Sequence, residues 1–452
     1  MIQERDSRLF QVEDTIRRLL RRKAETHLGN ALEKLHAAEA AQVFQNLEPE
    51  ELQRAFHVIQ DIERRAEVLA ECDQHIVHAL LNPMANEEVV IILKQIGSDD
   101  ARHLLDALSE QRATEVLELL DIGDSFVIED IMAYAPDTAG SIMSDSFVAY
   151  FEGTTVEQAI AEVRKANEAE YVFYVYVLDE ERHLRGVISL RQLLLAGPEK
   201  RLRDVMTTNV WSVNVHADQE DVARLVSRYN ILAIPVVDNP GNLIGIVTVD
   251  DVIDVLRDEA TEDILKMAGT HAEEITNLSA GRMAWVRFPW LFVSWVGGIG
   301  AAWLIGSFRE ELSKVIALAA FMPVIIGMAG NVGTQSATII VRGLATGRIS
   351  PNAWLRVVSK QLIVGVILGG AYGLLLGVMT LFQFQSMAML GLVVALSIAS
   401  SMVLAAMLSS VFPLLLHRFR FDPAVATGPI VTTGVDIIGI LVYFSIARFL
   451  LL

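Results

Sequence analysis

Up to about residue 135, apolar residues recur three and four positions apart in short blocks, as in LEPEELQRAFHVIQDI and SDDARHLLDALSEQRATEVLELLD. That period marks one face of an amphipathic helix. The blocks predict a small all-helical domain over 1–135, a right-angled stack of helical hairpins, with Ser98 as one of its N-caps. Near residue 136 the period changes. FVAYF, the helical TVEQAIAEVRKANE, FYVYVLD, LRGVISL and a further helix read as β-α-β-β-α, and the order recurs in WSVNV, QEDVARLVSRYN, AIPVVD, LIGIVTV and DDVIDVL. Met143 and Met206 are 63 positions apart, whereas Asp179 and Asp238, Gly186 and Gly245, and Ser189 and Thr248 are each 59 apart. The second copy is therefore four residues shorter between its helix and its second strand, and two tandem α+β modules are predicted at 136–199 and 200–249.

From Trp285 onward five long apolar stretches follow, at 285–306, 315–341, 355–382, 387–416 and 424–447. Each exceeds the roughly 20 residues needed to cross about 30 Å of hydrocarbon. The expected fold class is a multidomain membrane protein: the helical domain, the module pair, an acidic connecting helix (250–275) and a five-helix, all-α transmembrane domain (276–452).

Charge divides the chain at the same place. Residues before 276 carry net −26 and residues 276–452 carry net +7, within a total of −19. An acidic front half repels nucleic acid and gathers cations, so no nucleic-acid partner is expected. The single cysteine, Cys72, allows no intrachain disulfide and reads as a buried apolar residue. The first 20 residues have charges scattered among their apolar positions and lack the core of a signal peptide. Arg282 and Arg287 precede the first span; Arg342, Arg348, Arg356 and Lys360 follow the second; His417, Arg418 and Arg420 follow the fourth. The positive-inside rule places these in the cytosol. The expectation is a multi-pass protein of the cytoplasmic membrane with a cytosolic N-terminus and, after five spans, an outside C-terminus.

Two constellations carry chemistry. Asp436 is the one acidic residue well inside a span, where a carboxylate costs roughly 2.5 to 3.5 kcal/mol and tends to face an ion path. Gly428, Pro429, Thr432, Thr433 and Gly434 precede it, and the segment PVIIGMAGNVGTQS places Gly330 and Asn331 in the second span. These offer oxygen ligands without Cys or His, which suits a hard, hydrated divalent cation such as Mg²⁺. The second constellation is DDVIDVLRDEATEDILKM. There Asp250, Asp254, Asp258 and Glu262 are spaced by four, flanked by Asp251, Glu259 and Asp263. Like charges at that spacing weaken a helix, and a bound divalent ion reverses the sign. Asp99 and Asp100 add carboxylates from the helical domain.

The tandem modules resemble CBS domains. Their pairs commonly bind adenosyl ligands through a Ser/Thr-x-x-Asp turn, hydroxyl toward phosphate and carboxylate on ribose. Thr248-Val-Asp-Asp251 fits that turn, whereas Ser189-Leu-Arg-Gln192 lacks the acid, so the cofactors implied are Mg²⁺, transported and regulatory, and ATP or another adenine nucleotide at Thr248 and Asp251. The whole arrangement, with Pro-x6-Gly-Asn-x-Gly-x-Gln in the second span, DPAVATGPIVTTGVD in the fifth and the junction YAPDTAGSIMS, is similar to the MgtE family of Mg²⁺ channels. That resemblance implies a homodimer in membrane lipid, with no obligatory protein partner. Its pore lies on the two-fold axis between the second and fifth spans, so that two copies of Asp436 face one ion. It also implies closure by cytosolic Mg²⁺, sensed by Glu220, Asp251, Asp254, Glu259, Glu262 and Asp263, with Asp422 at the cytosolic edge of the pore. The alternative is an ion-coupled secondary transporter of divalent metals regulated by nucleotide, which also uses polar breaks in its spans. No enzyme is expected: an aspartyl protease needs two carboxylates sharing a site, and the spans offer only Asp436.

Overall fold

The computed structural model describes residues 2–120, 132–165, 172–270, 279–349, 353–385 and 387–451. The chain forms two compact units, divided between Leu256 and Arg257.

Among the described residues up to 120, a helix at Ile2–Arg21 precedes eight short ones: Glu25–Leu32, Ala37–Phe44, Pro49–Val58, Ile62–Ala70, Gln74–Leu81, Asn86–Leu93, Ser98–Asp106 and Glu110–Leu119. From Glu25–Leu32 onward each packs on the next but one along the chain. The short amphipathic blocks thus stack into two layers around one core that includes Phe44, Phe56, Leu69, Leu80 and Leu104. Cys72 is buried in that core. Ser98 is not an N-cap. Gly97 holds that position, and the Ser98 hydroxyl instead donates to Asp145 Oδ1 at 2.7 Å and accepts from the Asp145 N–H at 3.2 Å.

Each α+β module supplies a three-stranded sheet. In the first, β1 (Val148–Phe151) runs parallel to β2 (Tyr174–Leu178), which pairs antiparallel with β3 (Leu184–Ser189). In the second, β4 (Val213–Asn214), β5 (Ala233–Val237) and β6 (Leu243–Thr248) repeat the topology. The repeat extends to details. Val177 pairs with Gly186 and Val236 with Gly245, each followed by the same register shift. Asp179 and Asp238 each turn a hairpin by accepting backbone N–H groups of the turn that follows.

The two glycines explain how the modules join. A Cβ on Gly245 would lie 2.8 Å from the sulfur of Met143, and one on Gly186 would collide with the sulfur of Met206. Met143 leads into the first module and Met206 into the second, so each lead-in segment packs on the sheet of the other module. Backbone pairing of Ser144 with Ile246 and of Thr207 with Val187 fixes the exchange. Tyr176, Ala233, Leu243 and Ile246 form a small shared core.

The connecting helix, Val249–Ala268, starts directly at the end of β6. Among the described residues of the second unit five helices are long and apolar enough to cross a membrane: Ala280–Ser307, Leu318–Ala345, Trp354–Gln383, Ala388–Arg418 and Pro429–Leu451. The third and fourth form the tightest pair. Gly365, Gly369, Gly373 and Gly377 recur every fourth residue on the third, and a Cβ on Gly369 would lie 2.7 Å from the Ala399 carbonyl oxygen of the fourth. Lipid supplies no hydrophobic drive between helices, so small residues that let backbones touch carry the association.

Proline and glycine inside a span are local helix breakers, yet the second span stays whole. Pro323 and the glycines do not interrupt it: the helix is continuous over Leu318–Ala345. Pro323 stands near its start, where it removes a single rung, and Leu318, Phe321 and Ile325 around it are buried in the span core. Thr432, Thr433 and Gly434 likewise lie inside the fifth helix, which opens at Pro429 after a 3₁₀ turn, Ala424–Thr427.

Candidate ion path and regulatory carboxylates

The fifth span places Asp436 half-buried, beside the second span. Its Oδ1 lies 3.7 Å from where a Cβ of Gly330 would stand. Glycine at 330 places no side chain against that oxygen. Next to these two positions the helices close up: Gly333 fits against Ser409 and Val435, and Ala329, Val431 and Val435 are buried together. Asn331, Thr334 and Gln335 on the second span and Thr432 on the fifth are exposed. Gly327 has open space around it. The surface beside Asp436 thus presents amide, hydroxyl and bare backbone, where a lipid-facing surface presents Leu and Phe. The Gly428 carbonyl, expected as a ligand, accepts from Thr432 N–H at 3.3 Å and from the Thr432 hydroxyl at 3.4 Å as the first rung of the fifth helix.

A second group of expected residues meets in the first unit. Asp99, in the first turn of Ser98–Asp106, interacts with Asp251, in the first turn of the connecting helix. Burial first, and then the Asp99 charge, pushes the Asp251 carboxyl up to about 8. Burial also raises Asp99, against the hydrogen bond it receives from Ser144 and with the repulsion of Asp145 adding to it. Two part-buried carboxyl groups held close to each other cannot both ionise cheaply. The Thr248 hydroxyl donates to Asp251, and the Thr248 N–H reaches the same oxygen at 3.3 Å. In the first module Ser189 and Gln192 make the equivalent cap with a neutral amide. Both Ser/Thr-x-x-Asp/Gln turns therefore serve as helix caps.

A third group forms in the second unit, where the connecting helix ends. Glu262 and Asp422 both pair with Lys266, at 2.6 and 2.8 Å. Asp263 is raised by burial and then by the nearby Asp422, while Arg342 and Lys266 act against the rise. Among the other expected sensors, Asp250 adds its charge to that of Asp99 on Asp251, and the Asp100 backbone N–H donates to Asp99. Asp250, Asp254 and Asp258 are on the exposed side of the connecting helix, opposite the buried Val252 and Val255; Asp100 and Glu259 are part-buried. Glu220 pairs with Arg224 at 3.2 Å on its own helix.

Sequence reasoning missed Ser98, Ser144 and Asp145 around Asp99. It also missed the pairing of Lys266 with Asp422 and the placing of Arg342 near Asp263. Lys266 had a readable signal, its spacing of four from Glu262. Among the described residues Asp179, Glu181 and His183 also cluster, but Asp179 already holds His183 Nδ1 at 3.1 Å and two backbone N–H groups as a hairpin cap.

Known proteins share this arrangement. Residues 322–446 match the family described as MgtE, divalent cation transporter; residues 35–137 match the MgtE intracellular N domain; and 139–199 and 202–258 match the CBS domain. Magnesium transporter MgtE of Bacillus subtilis is 32% identical over 92% of this chain and 92% of its own. That of Thermus thermophilus is 39% identical over 77% of this chain and 79% of its own. Among solved structures, the soluble part of a magnesium transporter aligns at TM-score 0.51 and 31% identity, covering 56% of this chain and 99% of that one. The cytosolic domain of the Mg²⁺ channel MgtE in complex with ATP aligns at TM-score 0.51 and 32% identity, covering 54% of this chain and 99% of that one. The chain belongs to the MgtE family of magnesium transporters.

Proposed function

We propose that two copies of this chain form a Mg²⁺ channel for uptake across the cytoplasmic membrane, closed by Mg²⁺ on its cytosolic side. The observation that carries the reading is the polar, uncovered face of the second and fifth spans around Asp436. Polar side chains at that depth need water or protein rather than lipid. A second copy related by a two-fold axis would cover that face and bring two Asp436 carboxylates to one hydrated ion. Because the second span is a continuous helix, side chains of Asn331, Thr432 and Asp436 would meet the ion's water shell, while Gly330 and Gly428 would give room rather than ligands. Cytosolic basic loops support an outside C-terminus.

For closure, the Asp99–Asp251 pair and the Glu262, Asp263 and Asp422 group would each lose repulsion on binding a divalent cation, and Asp254, Glu259 and Glu220 would extend the acidic surface. Mg²⁺ then closes the pore if it binds the closed arrangement better than the open one. The relative solved with ATP suggests an adenine nucleotide at the CBS pair as well, with Thr248 and Asp251 as its contacts.

The test is Mg²⁺ flux through purified protein in liposomes, with cytosolic free Mg²⁺ varied from micromolar to about 10 mM at fixed driving force, a span of four decades or about 5.5 kcal/mol in binding terms. Flux that falls as cytosolic Mg²⁺ rises is expected. Flux without that fall would remove the sensor and keep the pore, and flux that requires a counter-ion gradient would replace the channel by a coupled carrier.

A further inference from the structure

The connecting helix ends in a Schellman turn. Gly269, at φ +76°, donates to the Lys266 carbonyl and Thr270 donates to that of Leu265. This end lies against the lead-in to the fifth span: a Cβ on Gly428 would stand 3.7 Å from the Lys266 carbonyl oxygen, and one on Gly269 would stand 3.7 Å from Pro429. Lys266 ties the two segments together. Its ammonium is 2.6 Å from Glu262 Oε1 on the connecting helix and 2.8 Å from Asp422 Oδ2 before the span. The other oxygen of Asp422 accepts the Ala424 N–H at 2.7 Å, which fixes the carboxylate on the turn that starts the fifth helix. Partial burial works against the charge on Lys266, and the two carboxylates outweigh it, holding the ammonium charged above its ordinary range. A cation at a helix C-terminus is further favoured by the exposed carbonyls there.

A cation bridging Glu262 to Asp422 is what the proposed regulatory Mg²⁺ would also be. We infer that Lys266 is a tethered counter-cation that keeps part of the population with the end of the connecting helix on the mouth of the fifth span when Mg²⁺ is scarce, and that rising Mg²⁺ completes closure by taking over these carboxylates from it. The inference rests on the gating reading above and names a positioning residue for it. Without the ammonium, Glu262, Asp263 and Asp422 repel one another, so the closed contact weakens selectively at low Mg²⁺. At high Mg²⁺ the divalent ion bridges them and the loss is masked.

The test is Mg²⁺ flux in liposomes for the full-length wild type, Lys266→Gln, Lys266→Arg and Arg257→Gln. Arg257 is on the same helix nine residues earlier, about 13 Å along its axis, and its substitution controls for the loss of one positive charge. Lys266→Gln is expected to raise flux at micromolar cytosolic Mg²⁺ about two- to fivefold, the range of a part-exposed ion pair, and to close as wild type does at about 10 mM. Retained closure also shows that this variant is folded. Lys266→Arg, which keeps the bridging charge, and Arg257→Gln are expected to stay at the wild-type value. Lys266→Gln flux equal to wild type at low Mg²⁺, or an equal rise in Lys266→Arg or Arg257→Gln, would overturn the inference while leaving Mg²⁺ gating intact. A wild type that does not close with Mg²⁺ would instead overturn the gating reading and this inference with it.

Discussion

Asp436 and Asp251 are both carboxylates in unfavourable surroundings, and they differ in what relieves them. Asp436 stands beside Gly330, which puts no side chain against it, and in the proposed path an ion with its water would approach on that flank. Replacing it by Ala is expected to lower Mg²⁺ flux at least about tenfold, a loss of some 1.4 kcal/mol in favourable interaction. The protein should still elute as a folded membrane protein; wild-type flux in such a variant would take Asp436 out of the path. Asp251 is relieved by a proton. Its folded-state pKa of about 8 is above the value of an unfolded carboxyl, so the native state binds the proton more tightly. Stability without Mg²⁺ therefore falls as pH rises from about 4 through about 8, and above that the repulsion with Asp99 is complete. Thermal unfolding of the full chain in EDTA should show a lower midpoint at pH 8.5 than at pH 5.5. Added Mg²⁺ should restore most of the difference, and Asp251→Asn should flatten the slope. A midpoint that rises over this interval would show that the pair is not buried as a pair.

At the scale of elements, backbone contact decides which glycines matter. Gly369 and Gly370 are neighbours on the third span, yet a Cβ at 369 would meet the Ala399 backbone whereas one at 370 would meet nothing within 4 Å. Gly369→Leu should cost about 1–3 kcal/mol or more through forced separation of the third and fourth spans, read as a lower unfolding temperature in detergent, and Gly370→Leu should be nearly silent. Equal effects would mean that the glycine row is not the contact. The row was legible in the sequence as a spacing of four, but its partner helix was not. The spans themselves were legible because a bilayer demands long apolar runs, and the modules because a repeat of about 60 residues shows in its own numbering. The continuity of the second span was not legible. Pro and Gly read locally as breakers, and only the packing of Leu318, Phe321 and Ile325 shows that the helix survives them. Ser98 misled for a similar reason: its hydroxyl serves Asp145, 47 residues away, and no local pattern records that.

For the whole molecule, the decisive quantity is what covers the polar face of the second and fifth spans. If a second copy does, a cysteine introduced at Asn331 should form a disulfide-linked dimer under mild oxidation, against a background in which the native Cys72 is buried. A cysteine at Phe382, 76% exposed on the third span, should not. Cross-linking at Phe382 and not at Asn331 would place the subunit contact elsewhere. The candidate site was only partly readable at this scale. Along the chain the acidic residues of the connecting helix read as one run, and folding separates them into the Asp99–Asp251 pair and the Glu262, Asp263 and Asp422 group, because a helix turns about 100° per residue and sends neighbouring carboxylates in different directions.

The exchanged methionine arms have a consequence for heredity as well as for folding. Met143 sits over Gly245 and Met206 over Gly186, so neither copy of the repeat carries its own lid. A mutation that enlarges one glycine is felt by the methionine of the other copy, and the pair must drift together. If the chain is divided near residue 200, each fragment should be insoluble alone, and the two made in one cell should recombine, as two links close a chain only when each passes through the other.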